Sequence, residues 1–213
     1  MIDRKLGAAT RDAYGKALVE LGKENPDVVV LDADLSKSTR TEMFGKAYPD
    51  RFIDIGIQEA NLVGIASGLA SCGKVPFISS FACFLMCKGY EQLRVGVAFS
   101  EFNVKVVTSH GGISVGEDGA SQQSVEDFAL AGTLPHFTVI VPSVEFSARA
   151  LIKQAASHVC PSFSSPSDMI TYVRNAFLSK RAASAQPMPI ESPCPSEPVE
   201  ASMPGRRRMS GWP

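Results

Sequence analysis

The sequence predicts an α/β fold with a mostly parallel, doubly wound sheet, and three observations support this prediction. Segments with helical spacing of apolar residues alternate with short apolar runs over residues 5–158. The run at residues 28–31 is continuously apolar, which is typical of a strand covered on both faces. Polar loops follow the apolar runs. Because strands alternate with helices, we expect helices on both faces of a parallel sheet.

The first elements follow one another closely along the chain. An amphipathic helix is predicted at residues 5–24, and the strand at residues 28–31 comes next. The polar loop at residues 32–39 leaves the carboxyl end of that strand, so it is a candidate ligand site. A cluster of helix-capping residues is the alternative interpretation of this loop. A short helix at residues 42–48 ends before Pro49.

The stretch around Glu59 is the centre of the predicted domain. Residues 51–57 predict a strand, and the helix after it carries Ala60, Gly64 and Gly68 at four-residue spacing. Each glycine costs a helix up to about 1 kcal/mol, so two of them indicate close packing of another backbone. Glu59 lies at the junction of strand and helix. It either meets the helix dipole favourably or is a buried carboxylate that exchanges a proton with a ligand.

Aromatic residues follow the third predicted strand, which covers residues 75–81. Phe81, Phe84 and Tyr90 lie at its end and in the next helix, which continues to Phe99. These side chains either belong to the core or form a wall that binds a ring, and the spacing alone leaves both readings open.

A fourth strand at residues 104–108 leads into a long loop at residues 109–123, which contains four glycines, one histidine and two carboxylates. Long irregular loops in compact domains are commonly functional. His110 is therefore a candidate acid, base or hydrogen-bond donor, and a purely structural histidine is the alternative. The remaining predicted elements are a helix at residues 124–131, a strand at residues 138–141 and a helix at residues 145–158.

The composition excludes several classes of function. The chain has 213 residues, of which 20% are charged, and a formal net charge of −1. This balance gives no electrostatic basis for binding nucleic acid or an anionic membrane. No apolar run approaches the roughly 20 residues that a membrane span needs. Five irregularly spaced cysteines argue against a disulfide framework and offer no zinc site, and the charged start lacks a secretory apolar core. A cytoplasmic location is expected.

The character of the chain changes near its end. Nine of the fourteen prolines and many serines come after residue 159. Such a segment cannot bury a core, so we expect residues 159–213 to form a disordered tail with at most one helix, at residues 169–179. The predicted division is a domain at residues 1–158 followed by this tail.

Four short segments of the chain form a recognisable set: Asp32-Ala33-Asp34-Leu35, Gly56-Ile57-Gln58-Glu59-Ala60-Asn61, Phe81-Ala82-Cys83-Phe84 and Gly116-Glu117-Asp118-Gly119-Ala120-Ser121. Together they resemble the pyrimidine-binding domain of the transketolase family. They occur in the family's order, each at a predicted strand end, within residues 1–158. The likeness is greatest to the separately encoded C-terminal subunit of split bacterial and archaeal transketolases.

The resemblance implies thiamine diphosphate as the cofactor and transfer of a two-carbon ketol unit between sugar phosphates, as in the pentose phosphate pathway. It implies that Glu59 hydrogen-bonds the ring nitrogen of the aminopyrimidine and stabilises the imino tautomer, which removes the thiazolium C2 proton. A carboxylate held away from water can share a proton in this way. Phe81 and Phe84 match the aromatics that stack on the pyrimidine, and Ile57 lines the same pocket.

Further residues follow from the same resemblance. Asp34 matches a residue that contacts the cofactor from the other subunit. His110, a predicted catalytic residue together with Glu59, and Asp118 match residues that bind the hydroxyls and the reacting carbonyl region of the donor sugar. Gln122 stands where many transketolases have a histidine that helps to bind the donor. Glutamine can hydrogen-bond but cannot carry charge, so the choice of substrate stays open.

The family holds the diphosphate and Mg²⁺ with a Gly-Asp-Gly loop and a later asparagine, because a diphosphate needs backbone donors and a metal held by carboxylate and amide oxygens. The closest segment here is at residues 117–119, and no asparagine occurs between Asn103 and Asn175. We therefore expect no metal ligands in this chain and no activity from it alone. The implied partner is a diphosphate-binding transketolase N-terminal subunit, around a homodimer core in a heterotetramer.

Alternatives remain beside a transketolase subunit. The family would continue after Val159 with a strand, an arginine-bearing loop and a further α/β domain, which are not recognisable here. A frameshift or rearrangement is one hypothesis for this change, and a non-catalytic truncated remnant is one reading of the product. Gln122 also leaves room for a deoxyxylulose-phosphate synthase or a 2-oxoacid dehydrogenase β-type chain.

Overall fold

A computed structural model describes residues 7–113, 115–159 and 161–164, and it confirms the predicted fold class. The described strands form one sheet with the order β2-β1-β3-β4-β6-β5, and every neighbouring pair is parallel. The strands are β1 Val28–Asp32, β2 Phe52–Asp54, β3 Val75–Phe81, β4 Lys105–Ser109, β5 Thr138–Ile140 and β6 Ser162–Ser164.

Helices cover both faces of the sheet. The described α-helices are α1 Thr10–Glu24, α2 Ser36–Thr39, α3 Glu42–Ala47, α4 Glu59–Ser71, α5 Ala82–Lys88, α6 Tyr90–Gln92, α7 Asp127–Thr133 and α8 Glu145–Ser157. One core cluster packs α1, α3 and α8 against one face, and the other packs α4, α5, α7 and the π-helical segment Leu93–Phe99 against the opposite face. None of the helices in the described ranges has the length and apolar character that a membrane crossing requires.

The second strand is shorter than the sequence indicates, because the Asp54 side chain takes over the hydrogen bonds that would continue it. The backbone N–H groups of Asp34 and Gly56 both donate to Asp54 Oδ1, at 3.0 Å. Gly56 has a φ of +78°, a left-handed conformation that turns the chain out of the sheet. Residues 55–58 are therefore a loop that places Glu59 at the first position of α4.

The disordered tail predicted at residues 159–213 is wrong for residues 162–164, which form a strand. Strand β6 lies between β4 and β5, with Ser162 opposite Lys105 and Ser164 opposite Ile140. It is short and its serines are not typical of a strand, so its pairing depends on two neighbours that are distant in sequence. The predicted disordered tail and the predicted helix at residues 169–179 otherwise fall on residues 165–213, outside the described residues.

Candidate active site

A buried glutamate lies at the carboxyl edge of the sheet. Glu59 begins α4, and its side chain is only 2% exposed. The Ser80 hydroxyl, near the end of β3, donates to Glu59 Oε1 at 3.3 Å. The polar pair Ser79-Ser80 interrupts an otherwise apolar strand, and this interruption is the sequence signal by which Ser80 could have been found.

The second carboxylate oxygen of Glu59 faces a lysine that the sequence analysis missed. Lys88 Nζ, at the last position of α5, lies 3.4 Å from Glu59 Oε2. The same ammonium lies over the Phe84 ring, 4.7 Å from its centroid. The lysine side chain is 53% exposed, so one partner of this ion pair is buried and the other reaches water.

Two of the predicted aromatic residues form a stack beside this carboxylate. The rings of Phe81 and Phe84 have centroids 5.6 Å apart and are inclined by only 14°. Phe81 also packs against the imidazole of His110, with centroids 3.9 Å apart. The structure thus brings together four of the residues named from the sequence: Glu59, Phe81, Phe84 and His110.

The hydrogen bonds of His110 define its tautomer. Arg11 Nη1 lies 3.3 Å from His110 Nε2, and a guanidinium can only donate, so Nε2 accepts. The proton of a neutral ring is then on Nδ1, which donates to the Ser109 hydroxyl at 2.8 Å. The backbone of His110 is left-handed, with a φ of +58°, as can occur at functional sites. Arg11 had no signal in the sequence beyond its position near the start of α1.

The long loop reaches the aromatic stack through its backbone. The Cys83 thiol, between the two stacked phenylalanines in sequence, donates to the Gln122 carbonyl at 3.2 Å. The Gln122 side chain accepts a hydrogen bond from the neighbouring Ser121 hydroxyl. Asp118, in contrast, lies in the same loop with its side chain exposed. Its predicted part in substrate binding stays a prediction.

Two further predicted residues lie at the open side of the site. Asp34, left-handed at a φ of 63°, is exposed and is held through its backbone N–H by Asp54. Ile57 is 71% exposed, so no part of the described chain encloses it. Their predicted roles in cofactor binding therefore require a surface from another chain or from the cofactor itself.

A second buried carboxylate, Asp32, ends β1 on the same edge. Its oxygens accept hydrogen bonds from the Thr39 hydroxyl at 2.7 Å, the Thr41 hydroxyl at 2.8 Å and the Leu35 N–H at 2.7 Å. Burial raises the pKa of Asp32 to about 6, although these hydrogen bonds oppose the rise, and the charge of Asp54 adds to it.

The comparison with protein families identifies the domain to which this edge of the sheet belongs. The sequence matches the family described as transketolase, pyrimidine binding domain, over residues 7–171. The chain belongs to the transketolase family. Its buried glutamate, aromatic stack and histidine therefore lie in a transketolase pyrimidine-binding domain.

Known transketolases show what share of a longer protein this chain represents. A Methanocaldococcus jannaschii protein described as a transketolase C-terminal section is 46% identical over 151 residues, covering 71% of this chain and 48% of the relative. Human transketolase is 43% identical over 150 residues, covering 70% of this chain and 24% of the relative. The chain thus spans about half of the first relative's length and a quarter of the second's.

Solved transketolase structures share the fold. A split-gene transketolase, described as an inactive β4 tetramer, has 48% sequence identity and a TM-score of 0.69, covering 76% of this chain and 52% of that one. Transketolase from Campylobacter jejuni has 26% identity and a TM-score of 0.70, covering 76% of this chain and 26% of that one. Both comparisons extend over the greater part of the described residues.

The transketolase family implies thiamine diphosphate, and the residues present fit one half of that cofactor. A buried carboxylate beside stacked aromatic rings suits a flat, weakly basic aminopyrimidine. A diphosphate and Mg²⁺ need oxygen ligands grouped around the metal. Among the described residues, no three His, Cys, Asp or Glu side chains are grouped closely enough to hold a metal ion.

Proposed function

We propose that this chain supplies the pyrimidine half of a thiamine-diphosphate-dependent transketolase site. The observation that carries the proposal is Glu59, a carboxylate 2% exposed at the carboxyl edge of a parallel sheet. Ligands of open α/β sheets bind at this edge. The aromatic stack of Phe81 and Phe84 next to it offers a flat apolar surface of the kind that a pyrimidine ring needs.

Each side chain of the proposed site has a separate role toward the cofactor. Thiamine diphosphate supplies, when bound, the carbon nucleophile and electron sink for moving a two-carbon ketol unit between sugar phosphates. Glu59 holds a proton at the pyrimidine ring nitrogen, and Ser80 fixes the orientation of this carboxylate through Oε1. Phe81 and Phe84 cover the ring and exclude water, which strengthens the hydrogen bond to Glu59.

Substrate groups meet the residues after β4. His110, oriented by Ser109 and Arg11, presents its ring beside Phe81 and can exchange hydrogen bonds with hydroxyls of the donor sugar. Asp118 and Gln122 complete this side of the proposed site. Gln122 offers an uncharged amide, so its contacts select the substrate by hydrogen bonding and not by charge.

The proposed site is completed by other chains. A diphosphate-binding transketolase N-terminal subunit would hold the diphosphate and Mg²⁺. This agrees with the finding that the chain spans half or less of the length of these relatives. A homodimer core within a heterotetramer is proposed, with Asp34 and Ile57 facing the neighbouring chain. The split-gene relative, described as an inactive β4 tetramer, supports contacts between copies of this kind of chain, and its split gene supports a separate partner subunit. The cytoplasmic location stays a prediction.

The test is ketol transfer in a mixture of this chain, the diphosphate-binding chain encoded beside it, thiamine diphosphate and Mg²⁺. Turnover is expected in the mixture, and Glu59→Gln should lower it by at least about a hundredfold because the carboxylate proton is lost. Glu42→Gln, at the first position of α3 with the side chain 27% exposed, is the matched control and should keep full activity. Equal turnover by Glu59→Gln and the unaltered chain would refute the proposal.

A non-catalytic assembly piece is the second candidate, and the split-gene relative described as an inactive β4 tetramer favours it. A chain that is folded and bound to its partner, yet shows no ketol transfer, would establish this alternative. The same assay with pyruvate and other oxoacids as donors separates a transketolase from a deoxyxylulose-phosphate synthase or a 2-oxoacid dehydrogenase β-type chain.

A further inference from the structure

The ion pair between Glu59 and Lys88 lies where the pyrimidine would bind. Lys88 Nζ is 3.4 Å from Glu59 Oε2 and 4.7 Å from the centroid of the Phe84 ring. These are the two groups that the proposed function assigns to the ring nitrogen and to the ring face. A pyrimidine and the lysine ammonium therefore need the same space and the same partners.

We infer that Lys88 occupies the pyrimidine subsite in the cofactor-free chain, pairs with Glu59 there, and must leave for the ring to bind. This inference rests on the proposed function, because it concerns the same carboxylate. Lys88 is then a residue that sets cofactor affinity by competition, and it has no part in proton transfer itself.

The burial of Glu59 explains why the cofactor-free chain needs such a residue. A carboxylate without a cation in a buried position is strongly destabilising. Ser80 supplies only one hydrogen bond, at 3.3 Å, so Oε2 needs a second partner. Lys88 meets this need, and the cation–π contact with Phe84 adds to the stability of its position.

The exposure of Lys88 explains how it can leave. Its side chain is 53% exposed, and it ends α5 immediately before Gly89. A lysine is a compact, strongly hydrated charge on a flexible stem, so it can move into water at a small cost. In this ion pair Glu59 is therefore shielded from water, whereas Lys88 remains accessible to water.

The direct test measures binding of the uncharged hydroxymethyl-aminopyrimidine fragment of thiamine to the full chain by ligand-observed NMR. Lys88→Met should lower the Kd of this fragment about fivefold, because the competing ion pair is gone. Lys88→Arg retains the charge and should stay within about twofold of the unaltered chain. Lys46→Met removes an exposed lysine paired with Glu42 and is the matched control, with no change expected.

A double-variant cycle ties the effect to Glu59. In a Glu59→Gln background there is no carboxylate to pair with, so adding Lys88→Met should leave the fragment Kd unchanged within about twofold. Urea unfolding of the four cofactor-free variants should also show coupling between the two positions, a readout that needs no ligand. Additive effects on unfolding would contradict the ion pair.

Ionic strength supplies a measurement that does not depend on any variant being folded. Raising KCl from about 0.05 M to about 0.5 M screens the half-exposed pair, so the unaltered chain should bind the uncharged fragment more tightly. Equal or weaker binding by Lys88→Met, together with no effect of salt, would overturn the inference while leaving the proposed function standing. Fragment binding by none of the chains would also overturn the inference, and ketol transfer in the mixture with the partner chain then tests the proposed function separately.

Discussion

Glu59 and Asp32 are both buried acids at the carboxyl edge of the sheet, and their partners suggest different roles. Asp32 accepts three hydrogen bonds, all from residues 35–41 of the loop that follows it. Those donors fix the segment at residues 35–41 and occupy three of the roughly four acceptor positions of the Asp32 carboxylate. Glu59 accepts one hydrogen bond, from Ser80, and forms an ion pair with the half-exposed Lys88. The side chain with the exchangeable partner is the one suited to ligand binding.

The elevated pKa of Asp32 makes part of the chain's stability depend on pH. Its pKa rises from 3.8 to about 6 on folding, so the folded chain holds a proton between these values that the unfolded chain has released. Stability therefore falls as pH rises through this window. We expect the unfolding free energy of the unaltered chain, relative to Asp32→Asn, to decrease by about 2 kcal/mol between pH 4 and pH 6.

Urea unfolding of both chains across this pH range is the measurement, since all other titrating groups are shared. Asp50→Asn, at an exposed position, serves as the control for the loss of one carboxylate. A difference between the unaltered chain and Asp32→Asn that stays flat, or grows with pH, would show that Asp32 remains charged in the folded protein.

Helix α1 packs closely on α3 because a glycine faces two aromatic rings. A Cβ atom on Gly22 would lie 2.5 Å from Tyr48 Cε2 and 2.7 Å from Phe44 Cε2. The two rings pack with centroids 5.0 Å apart, and Arg51 lies over the Tyr48 ring, so neither can move freely. The sequence analysis singled out the glycines of α4 and overlooked this one.

We expect Gly22→Ala to lower the unfolding free energy by about 1–2 kcal/mol, because overpacking outweighs the gain in helix propensity. Gly64→Ala is the matched control on α4, where a Cβ would meet no atom of the described residues within 4 Å. It should raise the unfolding free energy by about 0.5–1 kcal/mol. Chemical denaturation of both variants measures these changes in unfolding free energy. A lower unfolding free energy for Gly64→Ala would show that this face of α4 is packed against another chain.

Much of the element order could be predicted, since it depends on local patterns. Strand β3 has the predicted bounds, Val75–Phe81, because its apolar run is bounded by a turn and a helix. Helix α1 begins at Thr10, later than expected, and β6 was missed. A three-residue strand with two serines carries no apolar pattern, so only its neighbours in the folded sheet reveal it.

The candidate site was predictable to a similar extent. Glu59 stood out because a single carboxylate follows a predicted strand and begins a helix. Lys88 did not, because its contact with Glu59 depends on how α4 and α5 pack against β3, which spacing within one helix does not encode. The four-residue separation of Phe84 and Lys88 was the available signal, since such residues are neighbours on a helix surface.

The sheet as a whole depends on the strand that the sequence analysis missed. Strand β5 pairs with β6 and β6 pairs with β4, so β6 connects the last predicted strand to the rest of the sheet. Its Ser162 also lies next to Lys105, which is fully buried and donates to the His158 carbonyl at 2.5 Å. Removing β6 would expose this lysine and leave β5 without its hydrogen-bonded neighbour.

Truncation therefore tests where the domain ends. A chain ending at residue 158, the predicted boundary, lacks β6 and is expected to lose cooperative unfolding or to unfold at a clearly lower urea concentration. A chain ending at residue 171, where the family match ends, retains the strand and should unfold like the full chain. Equal urea midpoints for the two truncated chains would show that β6 contributes nothing to the sheet. Limited proteolysis of the full chain gives an independent check, because its resistant core should include residues 162–164.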